Sequence, residues 1–133
     1  PYMKKAQWGR IINIGGLAAR SGGAISGMRN LALVHLTKTL SNELGQFGIT
    51  ANIIHPGATR TERTQPMQEN IANARGLTVE DIEKNATQSI DIKRMVEAKE
   101  IAYLAVFLCS PRASAITGES IAAGGGVGSA VFS

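Results

Sequence analysis

The chain has 133 residues, 44% of them hydrophobic and 18% charged, and a net charge of +4. That is one domain with enough apolar material for a single core, and it excludes a disordered or fibrous protein. Lys and Arg are scattered and aromatic residues make up only 5%, so the positive balance describes a basic surface and argues against a nucleic-acid interface. One cysteine, Cys109, excludes an intrachain disulfide framework; with only His35 and His55 beside it, a metal site is not expected either. No apolar run reaches membrane-spanning length and no signal-peptide pattern opens the chain, which makes the cytoplasm the expected compartment.

The opening PYMKKAQWGRIINI reads as the tail of a helix running into a strand. The chain is therefore expected to start inside a structural element, as a piece of a longer protein would. Arg10 to Ile14 (RIINI) is a β-branched run without alternation, the pattern of a strand covered on both faces in a parallel sheet. From Ile25 to Leu44 the period turns helical. Ile25, Met28, Ala32 and Leu36 form one stripe, and Leu33, Leu36, Leu40 and Leu44 form another. Leu31 and Val34 lie outside both, so more than half the circumference is apolar. One face is expected against the sheet, and another calls for a second partner, most simply a copy of the same helix.

Gly45 stops this helix, and ITANII (49–54) is a second buried strand. Strand, long helix, strand is the βαβ unit of an α/β fold. Residues 58–95 are polar and turn-rich and read as a long loop region. Within it a short helix starts at Val79, capped by Thr78. A further helix is expected near 97–109. Its stripe is Ile101, Leu104, Ala105 and Leu108, with Glu97 and Glu100 at the positive end and Ser110-Pro111 as its stop. Ser120 to Ala123 reads as a last short strand before Gly124-Gly125-Gly126.

Three segments, GRIINIGG, LTKTLSNELGQFGITANIIHPG and KRMVEAKEIAYLAVFLCSPRASAITGESIAAGGG, resemble in order the second half of a short-chain dehydrogenase/reductase. The resemblance covers nearly the whole chain. It implies a Rossmann-like doubly wound parallel sheet, of which these residues form the C-terminal part: the βαβ unit plus the final helix and strand, as a single domain. It also implies an NAD(P)-dependent oxidoreductase. The positions where that family carries its catalytic Ser, Tyr and Lys read here Gly16, Ser26 and Asn30, and the interval from Gly16 to Ser26 is shorter than usual. The acidic residue of the family's closing Asp-Gly-Gly reads Gly124.

Those replacements matter chemically. Hydride transfer at a carbonyl carbon needs a proton relay at the oxygen, and a tyrosine near pKa 10 provides one when a lysine cation draws it toward neutrality. A serine titrates far higher, an asparagine brings no charge, and a glycine has no side chain. Ordinary carbonyl reduction is not expected, and the catalytic residues are unassigned. His55 either replaces the lost acid or is structural; Arg29 is a second candidate for a different proton donor.

By the same resemblance Pro56, Gly57 and Thr61 correspond to the turn beside the nicotinamide, in accord with ligands lying beyond the carboxyl ends of parallel strands. The alternative is that Pro-Gly simply turns the chain. NAD and NADP are not distinguished, because the Gly-rich phosphate turn and the ribose-selecting residues belong to the family's first half. A noncatalytic nucleotide-binding protein or a dimeric scaffold built on helix 25–44 is the competing reading. Gly22 and Gly27 have the outer spacing of a phosphate loop, but Met28-Arg29 follow where Lys and Ser/Thr are required.

Overall fold

A computed structural model describes residues 1–20 and 25–128. Helix α1 (Tyr2–Ala6) leads into strand β1 (Gly9–Ile14), helix α2 (Ile25–Leu44) and strand β2 (Ile49–Pro56). A small strand β3 (Thr59–Arg60) is followed by α3 (Thr64–Arg75), α4 (Val79–Thr87) and β4 (Val96–Glu97). Helix α5 (Ala98–Cys109) and strand β5 (Ser120–Ala123) complete the order. The main sheet runs β1-β2-β5, all parallel, with Ile14 opposite Ile54 and His55 opposite Ala122. The expected α/β architecture is present, and the bounds of α2 are those its periodicity indicates. Ser21 to Ala24, within the interval between Gly16 and Ser26, lie outside the described residues.

One side of the sheet holds the apolar core. Ile54, Leu108 and Ala113 are buried there, with Ile12, Ile101, Leu104 and Ile121 packed around them. The expected α5 stripe faces this cluster. The Glu100 carboxylate accepts the Glu97 N–H at 2.8 Å and two bonds from Arg94 at 2.7 and 2.8 Å, tying down the start of the helix.

The other side differs from expectation. Neither apolar stripe of α2 is the face buried on the sheet; the buried residues are Gly27, Asn30, Thr37 and Ser41. Ile25 remains 87% exposed and Met28 74%, with Leu31 and Leu36 also exposed. The reason lies in the strand and loop residues that face α2. Asn13 donates to Thr37 Oγ1 at 2.9 Å, and Thr117 donates to Ser41 Oγ at 2.9 Å. Small and hydrogen-bonding side chains therefore form the fully buried line of the helix, Leu33, Leu40 and Leu44 are half-buried beside it, and Leu31 and Leu36 are left outside.

The interval 58–95 is also more ordered than a loop with one short helix. Helix α4 starts at Val79, where Thr78 Oγ1 accepts the Asp81 N–H at 3.1 Å. Helix α3, with twelve residues, is an addition. It buries Thr64, Gln68 and Ala72, a stripe at four-residue spacing that carries no apolar signal. Pro66 sits in its first turn, where no intrahelical N–H bond is lost. No helix among the described residues is long and apolar enough to cross a membrane.

Candidate active site

The carboxyl ends of β1, β2 and β5 meet at three turns, Gly15-Gly16, His55-Pro56-Gly57 and Gly124. Gly15 N–H donates to Ile54 O at 2.8 Å, continuing the ladder one residue past β1. Gly16 then leaves the sheet, and its carbonyl accepts the Ala19 N–H at 3.1 Å, which starts a short 3-10 turn over Leu17–Arg20. Asn30 Nδ2, from the buried face of α2, donates to the same Gly16 oxygen at 3.2 Å. A Cβ on Gly16 would lie 3.1 Å from Asn30 Nδ2. Two of the three expected site positions, Gly16 and Asn30, are thus in direct contact. Ser26 lies one helical turn before Asn30 and is half-buried.

His55, the last residue of β2 before Pro56, is fully buried. Its Nδ1 lies 3.1 Å from Gly16 N and 3.0 Å from Gly16 O, while Nε2 has no hydrogen-bond partner. Burial is the main cause that pushes the imidazole below the ordinary histidine value of 6.5; the Gly16 carbonyl opposes this and the Arg20 cation adds to it. Arg20 itself donates to Ser120 O at 3.1 Å, bridging to β5.

The Pro-Gly turn is tightly built. A Cβ on Gly57 would come within 2.6 Å of Gly124 Cα. Gly57 N–H donates to Ala123 O at 3.2 Å, and Gly57 O accepts from Thr59 Oγ1 at 3.0 Å. Packing alone therefore accounts for a glycine at 57. Leu17 Cδ1 occupies the space a Cβ on Gly124 would need, so an acidic side chain there would collide with this leucine. Thr61 is exposed, with its N–H donating to Thr64 Oγ1 at 2.9 Å. Nothing in the periodicity of the sequence points to Leu17 or Ala19, because both act from a turn.

Beside Gly15 and Asn30, at the end of β1, opens a cleft of about 470 Å³ lined also by Ile14, Arg29, Leu33 and Leu36. Among the described residues, no group of three or more His, Cys, Asp or Glu is placed to hold a metal ion.

A family model described as enoyl-(acyl carrier protein) reductase matches residues 1–128. The NADPH-dependent reductase BacG of Bacillus subtilis (strain 168) is 38% identical over 127 residues, covering 93% of this chain and 49% of that protein. The crystal structure of YwfH, an NADPH-dependent reductase involved in bacilysin biosynthesis, superposes with a TM-score of 0.84 at 36% identity, over 97% of this chain and 50% of that one. L-Sorbose reductase from Gluconobacter frateurii, in complex with NADPH and L-sorbose, gives a TM-score of 0.86 at 26% identity, over 94% and 49% of the two chains. The chain spans about half the length of these relatives. The order of elements, the Rossmann-like parallel sheet and these matches agree: the chain belongs to the short-chain dehydrogenase/reductase family.

Proposed function

We propose that this chain is the carboxyl-terminal portion, a single domain part, of an NAD(P)-dependent oxidoreductase-type protein in which the usual Ser-Tyr-Lys relay is replaced by Gly16, Ser26 and Asn30. The observation that carries this reading is the Gly16–Asn30 contact. These two positions of the relay adjoin, yet offer only a peptide carbonyl and a neutral carboxamide. The NADPH-dependent reductases among the relatives support nucleotide binding. Pro56, Gly57 and Thr61 would form the floor of that site. Gly57 keeps the turn flat against Gly124, and the exposed Thr61 offers a side-chain hydroxyl at its rim. The nucleotide, when bound, supplies a hydride; these residues orient it and carry no proton.

The competing reading, a noncatalytic nucleotide-binding or scaffold protein, is favoured by the exposed side of α2. Ile25, Met28 and Leu31 form an apolar surface that this chain leaves uncovered, and a second copy of the helix is its simplest cover. The two readings share a homo-oligomer through helix 25–44. They are separated by titrating NADH and NADPH fluorescence and following nucleotide oxidation against a broad carbonyl panel, using the longer polypeptide that carries this chain. Binding with turnover near background supports the proposal; absence of binding favours the scaffold; robust carbonyl turnover contradicts both. Replacing Met28 and Leu31 together by Lys should shift an oligomer toward monomer in sedimentation.

A further inference from the structure

The histidine beneath the site has a role that neither reading assigns. Its Nδ1 lies within bonding distance of both the N and the O of Gly16, and a neutral ring uses Nδ1 either to accept or to donate. The Gly16 oxygen is already occupied, since its two lone pairs take the Ala19 N–H at 3.1 Å and Asn30 Nδ2 at 3.2 Å. The Gly16 N–H points at Nδ1 with good geometry. The network therefore assigns Nδ1 as the acceptor and places the proton on Nε2. The ring lies close under the turn: a Cβ on Gly15 would meet Cε1 and Nδ1 at 2.8 Å, so glycine is what leaves room for the imidazole here.

We propose that His55 is the positioning residue of this site: as a neutral acceptor it holds the Gly16 N–H, and the Gly16 carbonyl in turn holds the Asn30 carboxamide that lines the cleft. The proposal rests on the reading of Gly16 and Asn30 as site positions, but the chain of contacts is testable without any turnover. Protonation reverses it. An imidazolium has no lone pair for the Gly16 N–H, and among the described residues the acceptor in reach of its new Nδ1–H is Gly16 O. The displaced donor is Asn30, whose side-chain amide can turn away, whereas the Ala19 N–H is held in the backbone of the 3-10 turn.

The groups around the ring set the direction. From the 3-10 turn, Arg20 acts on it as a cation. Gly15 after β1 and Ala122 of β5 bring no charge, and Asn30 from α2 is neutral. Arg29 lies beside Asn30 on the cleft side. Among the described residues no carboxylate is found against the ring to hold the protonated form.

The test is an NMR titration of the full polypeptide carrying this chain, labelled with ¹⁵N at histidine, glycine and asparagine, from about pH 8 to about pH 5. At the upper end His55 should show a protonated Nε2 and a bare Nδ1. The Gly16 amide and the Asn30 side-chain amide should move together with the His55 signals at one shared midpoint below 6.5. His55→Asn keeps a neutral acceptor near the Nδ1 position, so both amides should stay at their neutral-pH positions throughout. His55→Leu removes the acceptor and should shift both at every pH. A proton on Nδ1 at neutral pH, or an Asn30 amide indifferent to the charge on His55, would overturn the proposal. The wild-type titration decides this even where a variant fails to fold, and nucleotide turnover does not enter it.

Discussion

The two faces of the sheet are built by different physics. Toward α5, Ile54, Leu108 and Ala113 close an apolar core whose stability comes from area removed from water. Toward α2, hydrogen bonds join Asn13 to Thr37, Thr117 to Ser41, and Gly16 to both His55 and Asn30. On the first face a change of shape costs the buried area lost plus the cavity left behind. The second depends on partners being present, since a buried donor left alone costs more than a satisfied one contributes. The candidate site sits on the second face, where side chains are held by hydrogen bonds.

The largest effect should come from the apolar face. Leu108→Ala leaves a cavity beside Ile54 and should cost about 2–5 kcal/mol in urea unfolding. A loss well under 1 kcal/mol would mean that α5 does not close the core. Next is the packed turn. The methyl of Gly57→Ala meets the Gly124 backbone at 2.6 Å, and separating the two turns should cost about 1–3 kcal/mol by overpacking. If the variant is as stable as the parent, the close approach of Gly57 and Gly124 is not real. On the polar face, Thr37→Val keeps the shape but orphans Asn13 Nδ2, which should cost about 1–3 kcal/mol. Asn13→Leu combined with Thr37→Val should recover part of that, a result expected only if the hydrogen bond is the interaction removed.

A smaller effect separates the two faces by pH. Folded His55 takes a proton less readily than the unfolded chain, whose histidine keeps the ordinary value of 6.5. Its contribution is full above about pH 6.5 and is lost as the pH falls from there toward the lowered folded value, because only the unfolded state binds the proton in that window. Urea midpoints should decline over that range in the parent and less so in His55→Asn. The smallest effect is at the start of α5. Arg94 holds the Glu100 carboxyl down to about 2 from 4.5. Its contribution is present above the unfolded value and is lost only as the pH falls through that lower range. The group is exposed, so Glu100→Gln should move the midpoint little and lose its effect in high salt.

How far the fold was legible in the sequence follows the same division. The runs RIINI and ITANII marked strands, and the stripe Ile101, Leu104, Ala105 and Leu108 marked the helix face toward the core, because burial by area leaves a periodic trace. The orientation of α2 left no such trace: its buried residues are Gly27, Asn30, Thr37 and Ser41, while Ile25, Met28, Leu31 and Leu36 are exposed. Helix α3 was hidden for the same reason, since Thr64, Gln68 and Ala72 carry its buried stripe. At the candidate site the glycine turns were visible as turns. The approach of His55 to Gly16 was not, because it depends on the register that sets Ile14 beside Ile54 and so places the end of β2 under the turn after β1.

The claim that this polar face keeps the place of a reductase site without its relay is tested most directly by rebuilding the relay. In the longer polypeptide carrying this chain, NADH and NADPH oxidation against a carbonyl panel would be followed for the parent and for Gly16→Ser, Ser26→Tyr and Asn30→Lys combined. The account predicts nucleotide binding with turnover near background in the parent. It predicts a rise in the triple variant toward the roughly 10²–10⁴-fold that acid–base relays contribute, reduced by whatever misplacement the altered loop imposes. Rapid carbonyl reduction by the parent, unchanged in the triple variant, would contradict it.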